Sequence, residues 1–295
     1  MLSVCIPVYN TSVRTLAEAL NAQVQGLDAG DEVEVLLLDD GSDPAYVDLN
    51  APLAELPAVC FMKQSNAGRS AVRNRLADLA QGTFLLFVDS DCQVPEDFLA
   101  RYLAVCREGR VVVGGLAYPP RPVDRALLLR WKVGVHREMR SVGARQQQPY
   151  HHFLSSNFLI PKALFRQLRF EQNLIGYGHE DTLFGQALRQ QQTEILHIDN
   201  PVTHLGLDSA VQYLPKVKES VGNLLRIVEQ GYEADGFRLW RAHQKLQGAG
   251  LARPLAYLFR WMETPLRKAL SGPFPSLFLL DFYKLGLLSS AVSKR

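Results

Sequence analysis

The sequence predicts an α/β protein with an open, mostly parallel sheet, flanking helices and a helical C-terminal region. In residues 1–115, short apolar runs alternate with segments whose apolar residues recur at intervals of three and four. The runs are apolar at successive positions, which is typical of parallel strands buried on both faces. From residue 207 onward the apolar spacing is helical. Alternating strands and helices, followed by helices alone, favour this fold class.

Each element has its own signal. The strands are rich in Val, Leu and Phe, whereas the helices carry one apolar stripe. The predicted strands of the first part are Leu2–Val8, 34–38, 59–63, Phe84–Val88 and 111–114, and its predicted helices are 13–23, 68–80 and 95–107. Further on, we expect a strand at 155–161 leading into a helix at Pro161, a helix from Glu180, a strand at 193–198 and a helix at 209–231.

The composition is that of a globular protein. Among 295 residues, 32 Lys and Arg stand against 30 Asp and Glu, so the net charge of +2 gives no bulk attraction to nucleic acid, and we expect no nucleic-acid partner. Four separated cysteines without a C-x-x-C pair indicate buried thiols in a reducing compartment. We expect a cytoplasmic protein, because no signal-peptide pattern is visible and the apolar tract 274–288 is interrupted by Asp281 and Lys284.

Polar residues follow three of the predicted strands. In an open parallel sheet the carboxyl ends of the strands face one crevice, where ligands bind. The four carboxylates expected there would repel one another by about 1 kcal/mol per close pair. We therefore expect a cation or hydrogen-bond donors among them. For any one segment alone, a turn with a capping side chain is the alternative. The four carboxylates are those of Asp39, Asp40, Asp89 and Asp91.

The segment 89–91 fits a divalent cation that arrives with a diphosphate, because Mg²⁺ and Mn²⁺ complete their shell with phosphate oxygens and water. Asp91 could ligate the ion, and Asp89 could accept hydrogen bonds from a ribose or water. The helix predicted from residue 68 begins with Arg69 and carries Arg73 one turn on, which is typical of an anion site. For both arginines, an ordinary exposed helix position is the alternative.

Taken in order, the segments 3–10, 38–42, 66–74 and 89–91 resemble the nucleotide-binding half of family 2 glycosyltransferases, which have the GT-A fold. The resemblance implies that Pro7, Tyr9 and Asp40 line the base and ribose of a nucleotide sugar, usually a UDP-sugar. It also implies that Asp91 holds Mn²⁺ or Mg²⁺ on the diphosphate. Asp39 either touches the base or braces the loop. The other residues predicted for the donor site are Asn66, Arg69, Arg73, Asp89 and Ser90.

Two acidic residues, Glu180 and Asp181, follow the glycine-containing segment 175–179 at the start of a predicted helix. Acidic residues are favourable in a first helical turn, so capping is one interpretation. The other is a general base, because sugar transfer with inversion needs one carboxylate to take the acceptor proton. The resemblance implies that Asp181 is this base and that Glu180 orients the acceptor.

A histidine, His204, follows the strand predicted at 193–198. A single histidine is more often structural than metal-ligating, and His197, within that strand, is predicted to lie in the core. In many metal-dependent members of the family, however, a histidine at the place of His204 completes the metal shell. The resemblance therefore implies that Asp91 and His204 are the protein ligands and that the diphosphate supplies the others.

The resemblance extends to about residue 206. It implies a nucleotide-sugar-binding half, 1–115, an acceptor-binding and catalytic half, 116–206, and a helical region, 207–295. The segment 251–295 combines apolar residues with basic ones, Lys294 and Arg295 among them, which predicts either contact with a membrane surface or a terminal lid or dimer contact. Processive synthases carry Gln-x-x-Arg-Trp; here Tyr257 replaces the Gln, which favours a non-processive enzyme.

The sequence therefore predicts an inverting glycosyltransferase that moves one sugar from a nucleotide diphosphate sugar to a hydroxyl of a glycan or lipid-linked acceptor, at or near the inner membrane face. One alternative is a non-catalytic partner that binds nucleotide sugar or membrane, although the motif carboxylates are intact. The other is a sugar nucleotidyltransferase. That enzyme needs a Gly-rich phosphate loop after the first strand, and the segment 7–10 contains no glycine.

Overall fold

The computed structural model describes residues 1–28, 30–174, 176–234 and 236–293. Ile175 of the predicted glycine-containing segment, and Lys294 and Arg295 of the predicted basic tail, lie outside the described residues. The chain forms two compact units. The first unit comprises 1–119, 139–173 and 180–206, and the second comprises 120–138, 174–179 and 207–295.

In the described ranges, the first unit contains one large and one small sheet. The strands are β1 (Leu2–Val8), β2 (Val33–Asp40), β3 (Val59–Gln64), β4 (Phe84–Val88), β5 (Cys92–Gln93), β6 (Arg110–Val113), β7 (Leu116–Ala117), β8 (Asn157–Pro161), β9 (Glu194–His197) and β10 (Val202–His204). The large sheet has the order β3-β2-β1-β4-β8-β6-β9, and the small sheet has the order β5-β10-β7.

Most pairs in the large sheet are parallel, as predicted. β1 pairs in parallel with β2 and β4, β2 with β3, and β6 with β9, whereas β8 runs antiparallel between β4 and β6. The second strand is longer than predicted, because Asp39 and Asp40 still pair with Lys63 and Gln64 of β3. These two carboxylates therefore belong to the end of a strand rather than to a loop.

Helices of the first unit cover both faces of the large sheet. In chain order, the α-helices of both units are α1 (Arg14–Gln25), α2 (Pro44–Asn50), α3 (Arg69–Leu79), α4 (Phe98–Leu103), α5 (Leu128–Val133), α6 (Val142–Gln147), α7 (Lys162–Leu168), α8 (Glu180–Gln190), α9 (Ala210–Glu229), α10 (Arg238–Gly248), α11 (Ala252–Leu270) and α12 (Leu277–Val292). Along β1, Val4 and Ile6 share one core with Leu16 of α1, whereas Cys5 shares the other with Leu76 of α3. Burial of successive residues explains the apolar runs.

The fourth helix is shorter than the prediction for 95–107. The carbonyl oxygen of Pro95 accepts hydrogen bonds from the backbone N–H of Phe98, at 3.2 Å, and from the side chain of Gln23, at 2.8 Å. The segment before Phe98 is therefore a turn that is held to α1, and the helix begins only after it.

The second unit is helical, with a turn of π-helix at Gly134–Glu138 between α5 and the next part of the chain. α9 begins with a capping box, in which the Ser209 hydroxyl accepts from the Gln212 N–H and the Gln212 side chain accepts from the Ser209 N–H. α12 packs against α5, α9, α10 and α11. No helix among the described residues is long and apolar enough to span a bilayer.

The contact between α11 and α12 depends on a glycine. An ideal Cβ placed on Gly286 of α12 would lie 2.1 Å from the ring of Phe259 of α11, which is 1% exposed. Two helices approach this closely only where one of them has no side chain.

We expect Gly286→Ala to lower the melting temperature and Gly222→Ala to raise it. The first methyl group overlaps a buried ring, which costs about 1–3 kcal/mol. The second lies inside α9, where an ideal Cβ meets no described atom within 4 Å apart from the local backbone of the helix and the two chain neighbours. Alanine stabilises a helix interior by about 1 kcal/mol relative to glycine. Thermal unfolding followed by circular dichroism measures both, and shifts of the same sign would contradict the close packing.

Candidate active site

The carboxyl ends of β1, β2 and β4 lie side by side, because these strands are parallel neighbours. Pro7 lies opposite Leu38 of β2 and is partly buried, whereas Tyr9, just after β1, is 55% exposed. The polar segments that follow the three strands therefore meet at one edge of the sheet, where ligands bind in open α/β folds.

The loops after β1 and β2 are held together by Asn10. Its side-chain oxygen accepts a hydrogen bond from the Asp43 N–H at 2.8 Å, and its own N–H donates to the Ser42 hydroxyl at 2.8 Å. The φ of Asn10 is 46°, in the left-handed region that asparagine tolerates better than most residues. These hydrogen bonds of Asn10 hold the backbone next to Tyr9 in place.

Asp40 is fully engaged with the chain. It accepts hydrogen bonds from the Gln64 side chain at 2.7 Å and from the backbone N–H groups of Ala67 and Gly68, both at 2.9 Å. It is 4% exposed. This carboxylate anchors the loop that leads into α3, so the structure gives a bracing position to the aspartate for which the sequence predicted contact with the base and ribose.

The two carboxylate oxygens of Asp39 differ in their hydrogen bonds. Its Oδ1 accepts from the N–H groups of Gly41 and Ser42, at 3.1 and 2.9 Å. Its Oδ2 is buried and has no hydrogen-bond partner among the described residues. Gly41 (φ +77°) must be glycine, because a Cβ there would lie 2.7 Å from the backbone nitrogen of exposed Asn66.

The two arginines of α3 have different positions. Arg73 is 3% exposed, and its Nη2 lies 2.5 Å from Asp89 Oδ1 in an ion pair, whereas Arg69 is exposed. Burial would raise the pKa of Asp89, but the charges of Arg73 and Arg69 outweigh burial and hold this pKa below its ordinary value. Of the two predicted diphosphate ligands, only Arg69 is therefore placed for contact with a ligand from solvent.

The small sheet brings Asp91 and His204 together. β10 runs antiparallel to β5 with His204 opposite Cys92, and the Leu205 N–H donates to the Asp91 carbonyl oxygen at 2.9 Å. His204 Nε2 lies 3.4 Å from Asp91 Oδ2. Gly206 leaves room for this carboxylate, because a Cβ there would lie 2.2 Å from Asp91 Oδ2. Ser90, between the two aspartates, is partly buried.

These two side chains fit the predicted divalent cation as partial ligands. The described ranges contain no group of three or more His, Cys, Asp or Glu side chains that could hold a metal ion. A carboxylate oxygen and an imidazole nitrogen 3.4 Å apart could both contact one ion, and a diphosphate would complete its shell. Burial, reinforced by Asp89 and opposed by His204, raises the pKa of Asp91, so a cation here would stabilise its ionised form.

The loop before Asp181 is held within the second unit by α9. The Tyr177 N–H donates to the Glu219 carboxylate at 3.2 Å, and the Asn223 side chain donates to the Tyr177 and Gly178 carbonyl oxygens. His179 Nε2 lies 3.1 Å from the Ser220 hydroxyl. Positive φ angles at Gly176 (82°), Gly178 (100°) and His179 (77°) turn the chain before α8 begins at Glu180.

Asp181 is poised between its two ionisation states. Burial and the neighbouring Glu180 raise its pKa to about 7, while a hydrogen bond with Ser155 and the charge of Arg73 act in the opposite direction. Its Oδ1 is buried without a partner in the part of the chain that the structure describes. A carboxylate with a pKa near neutrality and an unused oxygen is suited to general base catalysis.

Sequence reasoning missed two side chains near this site. The Tyr118 ring stacks on His204, with centroids 5.6 Å apart, and Tyr118 has no motif around it except prolines. Arg145, one of many basic residues in its segment, is 3% exposed and donates to the carbonyl oxygens of Val113, Gly114 and Ile198, where β6 and β9 end. His197 is 2% exposed, in line with its predicted core position.

Residues 3–169 match the glycosyl transferase family 2 domain, which covers more than half of the chain. The chain belongs to this family. The predicted family is thereby confirmed. The match ends before Glu180, Asp181 and His204, so the roles of these three residues remain predictions.

Known relatives of this family 2 chain agree with the fold. The putative glycosyltransferase EpsH of Bacillus subtilis (strain 168) is 32% identical over 105 residues, which are 35% of this chain and 29% of that protein. The chain thus spans less than a third of this relative.

The mannosyltransferase PcManGT from Pyrobaculum calidifontis, in complex with GDP-Man and Mn²⁺, has a TM-score of 0.60 and 16% identity, covering 99% of this chain and 86% of that one. S. aureus TarS 1–349 in complex with UDP-GlcNAc has a TM-score of 0.52 and 17% identity, covering 100% and 92%. The predicted GT-A fold with a helical C-terminal region is confirmed.

We expect Asp181→Asn to stabilise this protein increasingly as the pH rises. The pKa of Asp181 is about 7 in the folded state and about 4 in an unfolded chain, so between these values the folded state binds more protons, and the free energy of unfolding falls with rising pH. Asparagine cannot ionise, so the variant avoids this fall in the free energy of unfolding, which amounts to a few kcal/mol at most.

Melting temperatures of the wild type and Asp181→Asn at pH 5, 6, 7 and 8 measure the effect. Asp48→Asn, at an exposed position of α2, is the matched control and should show no trend. A constant difference between wild type and Asp181→Asn across this range would contradict the raised pKa.

Proposed function

We propose that this protein is an inverting glycosyltransferase that moves a single sugar from a nucleotide diphosphate sugar, with UDP-sugars the first expectation, to a hydroxyl of a glycan or lipid-linked acceptor. The observation that carries the proposal is the cluster of interacting charges in the first unit. Asp181 interacts with Arg73 and Asp89, and Asp89 interacts with His204. A base and a site for a metal diphosphate thus belong to one cluster.

Asp181 is the proposed general base. As the acceptor oxygen attacks the anomeric carbon, its proton passes to the Asp181 carboxylate. The new glycosidic bond forms while the bond between the anomeric carbon and the diphosphate oxygen breaks, so the nucleoside diphosphate leaves with that electron pair and the anomeric configuration inverts. Glu180, next to Asp181 in the first turn of α8, orients the acceptor and helps to raise the pKa of the base.

The donor side of the reaction uses the ends of β1, β2 and β4. Asp91 and His204 would hold Mn²⁺ or Mg²⁺, which, when bound, stabilises the negative charge of the leaving diphosphate. Arg69 is exposed at the start of α3 and adds positive charge near the same phosphates. Asp39, with an unpaired buried oxygen, is better placed than Asp40 to accept a hydrogen bond from the nucleotide.

We place the reaction in the cytoplasm, near the inner membrane face when the acceptor is lipid-linked. The free cysteines Cys5, Cys60, Cys92 and Cys106 fit a reducing compartment. Of the two solved structures described above, one is in complex with GDP-Man and the other with UDP-GlcNAc, so a thermal-shift series with UDP- and GDP-sugars is the measurement that identifies the nucleotide.

Asp181→Asn should keep donor binding and lose sugar transfer. Loss of a general base reduces the rate by about 10²- to 10⁴-fold, while the donor site at the strand ends is unchanged. Calorimetry measures donor binding, and an assay of sugar transfer with a donor and an acceptor that the wild type uses measures the loss of activity. Asp48→Asn is the control. Transfer at the normal rate by Asp181→Asn would place the base elsewhere.

Asp91→Asn and His204→Gln should each remove metal-dependent donor hydrolysis. With Mn²⁺ and a mixture of nucleotide sugars, we expect slow hydrolysis by the wild type and a loss of about 10²-fold or more in each variant, because each removes a proposed ligand. Release of the nucleoside diphosphate is measured with and without EDTA. Equal turnover in EDTA would remove Asp91 and His204 from their proposed roles. Binding of donor without any turnover by the wild type would favour the non-catalytic alternative.

A further inference from the structure

The outward face of α11 is apolar although its inward face already packs in the second unit. The inward face is formed by the buried side chains of Ala252, Ala256, Phe259, Leu266 and Leu270. On the opposite side, Tyr257, Leu258 and Trp261 are 66%, 50% and 74% exposed. With 3.6 residues per turn, positions 254, 257, 258, 261 and 265 lie on this one face. We call these five residues the α11 outer face.

Basic residues are concentrated in the segment of α10 and α11. Residues 238–270 contain seven Lys and Arg against one Glu, whereas the rest of the chain has 25 Lys and Arg against 29 Asp and Glu. All seven are exposed, and none forms an ion pair with another described residue. They are Arg238, Arg241, Lys245, Arg253, Arg260, Arg267 and Lys268.

The spacing of the charges on α11 is regular. Arg253, Arg260 and Arg267 are seven residues apart, so they form one row along a flank of the helix, while Lys268 lies one heptad beyond Trp261. The acidic Glu263 lies four residues after Phe259, on the inward side. The exposed half of the helix therefore carries aromatic and aliphatic side chains together with positive charge alone.

We propose that the α11 outer face docks onto an anionic phospholipid bilayer, with the helix parallel to the membrane plane. Tyr and Trp are the residues that prefer the boundary between headgroups and acyl chains, and Arg and Lys bind anionic headgroups. An acidic protein partner would complement the basic charges. It would not provide the boundary between headgroups and acyl chains that the Trp261 ring, 74% exposed, prefers. The helix cannot cross the bilayer, because no described helix is long and apolar enough.

This docking surface is independent of the sugar chemistry. It lies entirely in the second unit and uses none of the residues assigned to the donor, the metal or the base. Loss of docking and loss of transfer are therefore separate outcomes in an experiment. A bilayer contact would concentrate the chain where a lipid-linked acceptor is found.

The test is co-sedimentation of the full chain with vesicles of phosphatidylcholine alone and with 30 mol% phosphatidylglycerol. We expect binding to the anionic vesicles, at least tenfold weaker binding to the neutral ones, and weakening by salt because exposed charges are screened. Tyr257→Ser combined with Trp261→Ser should reduce binding at least tenfold, and so should Arg253→Glu combined with Arg260→Glu.

Matched controls come from α9 of the same unit. Val211 is 69% exposed and Lys218 is exposed, so Val211→Ser and Lys218→Glu change an apolar and a basic surface side chain away from α11 and should bind as the wild type does. Melting temperature and donor hydrolysis of every variant should match the wild type, which shows that the fold is intact.

Three results would overturn the proposal. The wild type could stay in the supernatant with anionic vesicles, neutral vesicles could bind it equally well, or the α11 variants could bind as tightly as the α9 controls. Analytical ultracentrifugation completes the test. A wild-type dimer that Tyr257→Ser with Trp261→Ser converts to monomer, without vesicle binding, would assign the face to a second copy of the chain.

Discussion

The ion pair between the buried Arg73 and the partly buried Asp89 is the constraint on which the candidate site depends. It joins α3, which follows the loop braced by Asp40, to the end of β4, from which the segment with Asp91 continues. The positive charge of Arg73 also interacts with Glu180 and Asp181. Because a buried charge without its partner is costly, loss of Asp89 would disturb the proposed donor side and the proposed base together. One guanidinium thus links elements that are more than 100 residues apart in sequence.

Three aspartates of the candidate site, Asp89, Asp91 and Asp181, differ because their surroundings differ. Asp89 forms an ion pair with Arg73, and its pKa is below its ordinary value. Asp91 and Asp181 are partly buried without an equivalent partner, and their pKa values are raised. Carboxylates pushed in opposite directions within one cluster are typical of sites where one group stays ionised and another exchanges a proton.

Local patterns were sufficient to predict most of the first unit. The strands are apolar on both faces, and the polar segments follow their carboxyl ends, so parallel pairing alone brings Tyr9, Asp39 and Asp89 to one edge of the sheet. The sequence could not predict that Asp39, rather than Asp40, keeps an oxygen without a hydrogen-bond partner among the described residues. Asp40 accepts hydrogen bonds from backbone N–H groups that lie 27 and 28 residues further along the chain. The meeting of Asp91 with His204 depends on strands of two and three residues, which are too short to leave a periodic pattern.

The environment of Asp181 was also beyond the sequence. The Glu-Asp pair at a helix start is visible as a motif, but the burial that raises the pKa, and the distant partners Ser155 and Arg73 that oppose this rise, come from the assembled fold. Arg145 could not be distinguished from its basic neighbours, since only the assembled ends of β6 and β9 provide its carbonyl partners. Side chains whose partners are remote in sequence carry no local signal.

The anchoring of the loop 176–179 bears on how this chain can be shortened for engineering. The family match ends at residue 169 and the first unit ends at 206, which invites a cut before α9. Such a fragment would lack Glu219, Ser220 and Asn223, and His179 would have to keep a left-handed backbone, unfavourable by roughly 1–2 kcal/mol, without the hydroxyl beside its ring. The smallest piece that keeps this loop anchored therefore extends through α9, which lies beyond the recognised domain.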